Sequence, residues 1–111
     1  MKLSDIIKGT EYDLSLFTEA QITELENRIA ERGTKRGTEY YLTCAVRRKD
    51  IKATPEEVVR QLYLLVLTED LGYPVSRMEL EYEVTFGREK KRADIVIFDK
   101  QQTTSPYIIV E

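Results

Sequence analysis

The chemistry open to this chain is bounded by a residue it lacks, since none of its 111 residues is histidine. Ser-His-Asp and Cys-His triads are excluded, and the commonest zinc ligand is missing. The single cysteine, Cys44, has no partner for an internal disulfide or a thiolate zinc site, and its strand-like neighbours read as those of a small buried hydrophobe. Hydrolysis by such a chain rests on carboxylates. Carboxylates without histidine suit a hard, oxygen-preferring cation such as magnesium or manganese, which activates water and stabilises charge on a phosphate. The acids that the sequence pattern gathers are Glu83, Asp94 and Glu111.

The strands that carry those acids predict their positions. Met78 to Phe86 alternates strictly, with Met78, Leu80, Tyr82, Val84 and Phe86 opposed to Glu79, Glu81, Glu83 and Thr85. A turn at Gly87 follows, then a strand from about Lys91 to Phe98, a polar loop from Asp99 to Pro106, and an apolar strand from Tyr107 to Glu111. In an antiparallel pair the numbers of opposed residues sum to a constant. Centring the loop opposes Phe98 to Tyr107, Ile97 to Ile108, Ile95 to Val110 and Asp94 to Glu111. Centring the turn opposes Phe86 to Lys91, Val84 to Ala93, Tyr82 to Ile95 and Glu83 to Asp94. Three acids then share one face, where directly opposed like charges repel. Two readings stand at this point. One is a divalent cation between Asp94 and Glu111, with Glu83 nearer the sheet margin; the other is a solvated acidic face screened by Arg92 and the lysines of the turn.

Two helices precede these strands. The first runs from Thr18 to Arg32, opens on a capping box of Thr18 and Gln21, aligns Ile22, Leu25 and Ile29, and stops at Gly33. A basic turn from Arg32 to Gly37 leads to a strand in which Leu42, Cys44 and Val46 alternate with Tyr41, Thr43 and Ala45. The second helix is capped by Thr54, has Pro55 in its first position, carries a stripe of Val58, Leu62, Leu65 and Val66, and stops at Gly72 and Pro74. Leu62, Leu65 and Val66 are expected to pack on the sheet face bearing Tyr82, Ile95 and Val110. The fold class is therefore α/β in the α+β sense, a three-stranded antiparallel meander packed on a core helix and preceded by an extra amphipathic helix and strand.

The strings Thr54-Pro55-Glu56-Glu57-Val58-Val59-Arg60-Gln61, Gly72-Tyr73-Pro74, Glu81-Tyr82-Glu83-Val84, Lys91-Arg92-Ala93-Asp94-Ile95 and Tyr107-Ile108-Ile109-Val110-Glu111 occur in that order. Together they resemble the type I restriction enzyme R-protein N-terminal domain family, within the PD-(D/E)XK nuclease superfamily. The resemblance covers roughly residues 40 to 111, a partial restriction-endonuclease-like domain, and leaves residues 1 to 39 as an N-terminal helical extension of the same compact unit. It implies that Asp94 is the acid of the second core strand and Glu111 the first residue of the E-x-K triplet, both magnesium ligands. Glu57 matches the helix acid that approaches the site, although its place three residues after Thr54 equally satisfies a capping box. Arg60 and Gln61, one turn on, either orient Glu57 or a phosphate, or form a surface pair with Glu56.

The family's lysine would stand two residues after Glu111, where the sequence has already ended. The expectation is thus a truncated nuclease domain that does not cleave DNA alone, since metal and lysine together activate the attacking water. The function implied is that of a DNA endonuclease domain of a type I-like restriction-modification system. Its rival is a non-catalytic module of nuclease fold that docks DNA or a methyltransferase or specificity subunit. The net charge of −3 argues against a uniformly basic surface. Local phosphate contacts fall instead to Arg47, Arg48, Lys49, Lys90, Lys91 and Arg92. Duplex DNA and the methyltransferase and specificity subunits or domains are the expected partners, with a homodimer left open. A cytoplasmic location and no membrane contact are expected, because no apolar run approaches a membrane span and the start lacks a signal peptide.

Overall fold

A computed structural model describes residues 2–99 and the strand at 106–110. Its elements in chain order are α1 (Leu3–Ile7), α2 (Glu19–Arg28), β1 (Ala30–Thr34), β2 (Gly37–Thr43), β3 (Asp50–Lys52), α3 (Pro55–Leu65), β4 (Met78–Phe86), β5 (Glu89–Phe98) and β6 (Pro106–Val110). The strands form two antiparallel sheets, β1-β2-β3 and β4-β5-β6. The expected α+β class and the meander on a core helix are both present. No helix among the described residues is long and apolar enough to cross a membrane.

The capping box at the start of α2 forms as its sequence dictates. Thr18 Oγ1 accepts from Gln21 N at 3.2 Å and Gln21 Oε1 accepts from Thr18 N at 2.8 Å. The helix ends at Arg28, however, and not at Arg32. Residues Ala30 to Thr34 find five ladder partners between Gly37 and Tyr41, so a hairpin closed by Lys35 and Arg36 replaces the last helical turn and the basic loop. Gly33, read as a helix stop, pairs with Thr38 inside β1.

α3 is the central element, and it is buried on two sides. Thr54 Oγ1 accepts from Glu57 N at 3.3 Å and Pro55 takes the first position, as expected. Val58, Leu62 and Leu65 pack with Leu3, Ile7, Phe17, Leu25, Leu42 and Ala53, away from the meander. The meander is met instead by Leu64 and Leu67, which join Cys44, Met78, Leu80, Ile95 and Ile97. Two residues along a helix is roughly 200° around it, so Leu62 and Leu64 face opposite layers. The predicted stripe is real but serves the N-terminal layer, and the expected contact of Leu62, Leu65 and Val66 with the Tyr82–Ile95 face is not made. α3 continues into a π-helical turn over Val66–Asp70, where Leu71 N reaches Val66 O at 3.0 Å, before Gly72 at φ 75 and Pro74 end it.

The meander strands lie where the alternation predicts them, but one register differs. Phe86 pairs with Glu89, Val84 with Lys91, Tyr82 with Ala93 and Leu80 with Ile95, a shift of two residues from the symmetric alignment. A shift of two leaves every side chain on its original face, so apolar matching is blind to it. The turn decides the matter: Gly87, at φ 61, takes the first central position of a two-residue hairpin loop. In β6 the expected pairs Ile97 with Ile108 and Ile95 with Val110 are present, whereas Phe98 pairs with Pro106 in place of Tyr107 across a register irregularity. Glu111, and with it the expected opposition to Asp94, lies outside the described residues.

One break interrupts the β4-β5 ladder. Leu80 pairs with Ile95 and Tyr82 with Ala93, but Glu81 between them has φ 53 and pairs with no residue of β5. The single apolar face expected from Met78 to Phe86 is divided there. Before the break Met78 and Leu80 join the α3-facing cluster, and after it Val84 joins Ala93, Val96 and Phe98, while Tyr82 stacks edge-on against Phe98.

Candidate functional site

The site is assembled at the start of α3 and at the β4-β5 break. Helical spacing sets Glu57 one turn before both Arg60 and Gln61. Arg60 Nη1 donates to Glu57 Oε1 at 3.1 Å and Gln61 Nε2 donates to Glu57 Oε2 at 3.3 Å. The Glu57 side chain is only 12% exposed. Its backbone N–H is capped by Thr54, but its side chain is turned inward and does not close a capping box. Gln61, itself buried, also donates to Cys44 Sγ at 3.3 Å, which fixes its amide between the helix acid and the residue that follows β2.

Arg60 is the centre of the constellation and is 6% exposed. Its Nη2 donates to Glu81 Oε1 at 3.3 Å and lies 3.6 Å from Asp94 Oδ1 and 3.7 Å from Glu56 Oε1. Burial alone would disfavour its charge, but the fields of Glu57, Glu81 and Asp94 outweigh that penalty and hold its pKa above the ordinary arginine value. Glu81 is gripped from three elements. Arg47 from the β2–β3 turn and Arg92 from β5 each donate to its Oε2 at 3.0 Å, while Arg60 from α3 takes Oε1. The hydrogen bond from Arg47 leads in holding the Glu81 carboxyl below the usual glutamate range, with the Arg60 and Arg92 charges adding to it against partial burial. Glu56, Glu57, Glu81 and Asp94 thus face Arg47, Arg60 and Arg92, four acids to three arginines, with Glu56 the most exposed of the acids.

The structure brings together four of the residues singled out from sequence, Glu57, Arg60, Gln61 and Asp94, and draws in Arg47 and Arg92 through Glu81. Glu83 does not belong to this group. It pairs with Arg92 across the ladder, not with Asp94, and its carboxylate meets Lys90 Nζ at 3.6 Å on an exposed edge. Arg48, Lys49 and Lys91 are exposed. Glu81 was the residue sequence reasoning missed. It shares its alternation with Glu79 and Glu83, and only a ladder break and three distant arginines distinguish it. A cleft of about 350 Å³ lies between residues 11–16 and the neighbouring face of α3, with Asp94, Arg60, Tyr63 and Tyr12 among its walls. Among the described residues no three histidine, cysteine or acid side chains are grouped to hold a metal ion.

The fold and site define a mixed α/β domain whose core helix and antiparallel meander converge their acids on a buried arginine. The family described as type I restriction enzyme R protein N terminus matches residues 55–111, about half of the chain, and the chain belongs to that family. Searches of curated proteins and of solved structures return no match.

Proposed function

We propose that this chain supplies acids of a magnesium-dependent nuclease centre that hydrolyses phosphodiesters in duplex DNA within a restriction-modification system. The observation that carries the reading is the convergence of a helix acid, Glu57, and a central-strand acid, Asp94, on one buried guanidinium, which hydrogen-bonds Glu57 and leaves Asp94 at 3.6 Å without a hydrogen bond. The donor chemistry fits an oxygen-preferring cation. Asp94 is 48% exposed and, among the described residues, its one ion pair is to Arg60 at 3.6 Å without a hydrogen bond, so its oxygens keep their lone pairs. Asp94 and Glu111 would hold the cation; Glu111 follows Val110, the ladder partner of Ile95, which itself follows Asp94. When bound, such an ion lowers the pKa of a water and stabilises charge on the scissile phosphate.

The chain's own residues have separable duties in this reading. Arg60 and Gln61 fix the Glu57 carboxylate toward the site, and Arg60 offsets the charge of Glu57 and Asp94. Arg48, Lys49 and Lys91 are exposed and suit DNA phosphates directly. Arg47, Arg92 and Lys90 are occupied by Glu81 and Glu83 and reach phosphates only by exchanging partners. Contacts with methyltransferase and specificity subunits belong to the same proposal.

Calorimetric titration with Mn²⁺ tests the site. Asp94→Asn and Glu111→Gln should each weaken binding by roughly tenfold or more, and Glu83→Gln should leave it unchanged. In the full-length natural protein, Asp94→Ala and Glu111→Ala should abolish Mg²⁺-dependent DNA cleavage; full cleavage by either variant would overturn the assignment. The second reading, a non-catalytic docking module, is favoured by one observation, that Glu57, Glu81 and Asp94 are each already ion-paired to an arginine. Absence of Mn²⁺ uptake together with DNA binding that depends on Arg48 and Lys49 would select it.

A further inference from the structure

Arg60 does not divide itself evenly among its acids. Nη1 is committed to Glu57 at 3.1 Å, and Nη2 makes its hydrogen bond to Glu81 at 3.3 Å. Asp94 receives only the residual attraction of Nη2 at 3.6 Å, outside hydrogen-bonding geometry. Glu81 is held in that place at a cost. A left-handed backbone conformation is disfavoured in a residue with a Cβ, and it persists only where the surroundings over-determine it. Here they do so through Arg47 and Arg92, each at 3.0 Å.

We propose that Glu81 is a positioning residue of the site, which holds Arg60 Nη2 and so keeps the guanidinium from closing on Asp94, leaving that carboxylate open to a divalent cation. The inference rests on the metal reading above. Arg60 is 6% exposed, and with Glu81 lost the acids within reach of its Nη2 are Asp94 at 3.6 Å, from the sheet, and Glu56 at 3.7 Å, from its own helix, whose side chain is 65% exposed and solvated. A contraction from 3.6 Å to the roughly 2.8 Å of a charge-assisted hydrogen bond would then tie up the proposed ligand. Arg47 and Arg92 approach Glu81 from its Oε2 side and are more exposed than Arg60, so solvent takes them up.

The decisive variant is Glu81→Gly, which removes every side-chain acceptor while suiting the φ of 53°. Mn²⁺ affinity should fall roughly tenfold, the worth of one charge-assisted hydrogen bond gained by Asp94. Arg60→Met should cancel that loss, the double variant binding as tightly as Arg60→Met alone, a non-additivity that general destabilisation does not produce. A metal-free readout accompanies it. Urea denaturation of Arg60→Met, Asp94→Asn and the double variant gives the Arg60–Asp94 coupling, which should strengthen at least fivefold, as an equilibrium factor, in the Glu81→Gly background. Should Arg60→Met fail to fold, Arg60→Lys, with no second Nη to divide, serves in the same cycles. Coupling and Mn²⁺ affinity both indifferent to Glu81→Gly would overturn the proposal. Stronger coupling without any Mn²⁺ uptake by the unsubstituted chain would uphold the division of Arg60 and sink the metal reading instead.

Discussion

Replacing Leu64 by alanine isolates the contact through which α3 holds the meander. Leu64 is 1% exposed and packs among Cys44, Leu67, Met78, Leu80, Ile95 and Ile97. The substitution removes three carbons, worth about 2.4 kcal/mol at roughly 0.8 kcal/mol per buried methylene. The unfilled cavity brings the total to about 3–4 kcal/mol. A protein of this size is stable by about 5–15 kcal/mol, so the variant stays folded. At about 4 °C per kcal/mol its Tm falls by roughly 12–16 °C. Thermal unfolding measures that drop, and hydrogen exchange locates it. Amides of β4 and β5 should lose more protection than those of α2, because Leu64 does not belong to the α2-facing cluster. Leu71→Ala, at an exposed position, serves as the control and should change stability by no more than about 0.5 kcal/mol. A cost below about 1 kcal/mol for Leu64→Ala, or protection lost first from α2, would refute the placement of Leu64 between helix and meander.

Two further outcomes follow from the site and its surroundings. The folded pKa of Glu81 is depressed below the ordinary glutamate value of 4.5, chiefly by Arg47, so its stabilising contribution is fully present above that value and is lost as pH falls through the folded one. Thermal unfolding of the chain and of Glu81→Gln should therefore differ most near neutrality and converge in acid; a difference constant with pH would contradict the linkage. Cys44 is fully buried, and its Sγ accepts from Gln61 Nε2 at 3.3 Å and Arg47 N at 3.4 Å. It should resist thiol reagents until the chain is unfolded in urea, and rapid native labelling would show that the β2–β3 turn opens.

The parts of this fold that sequence reveals are those written in local chemistry. Thr18, Gln21 and Thr54 mark two helix starts because their side chains satisfy donors within three residues, and Pro55 marks the second because it brings no N–H that needs a partner. Strict alternation gives β4 its bounds from Met78 to Phe86. What local pattern cannot decide is partnership. Ala30 to Arg32 continues the helical pattern of the residues before it, yet is extended because Glu39 to Tyr41 offers it a ladder. Leu62 and Leu64 are equally apolar, and only the two layers around α3 sort them. The site divides in the same way. Asp94, Glu57, Arg60 and Gln61 are legible from motif and helical spacing, whereas Glu81 depends on a two-residue turn at Gly87, a broken ladder and arginines up to 34 positions away. Glu83 was favoured over Glu81 by a register two residues out, an error invisible to any test of sidedness.

The two-sided burial of α3 separates two boundaries that are easily taken for one. Family likeness starts at Pro55, on the first turn of this helix. The cooperative folding unit starts far earlier, since Val58, Leu62 and Leu65 are covered by Leu3, Ile7, Phe17 and Leu25. Inheritance and cooperativity therefore partition the chain differently. Trimming to the matched segment would strip one flank of the helix that carries Glu57 and Arg60, exposing three leucine and valine side chains and loosening the scaffold beneath the acids. Any relative that shares only the matched segment must cover that flank with other residues, of its own chain or of a companion subunit.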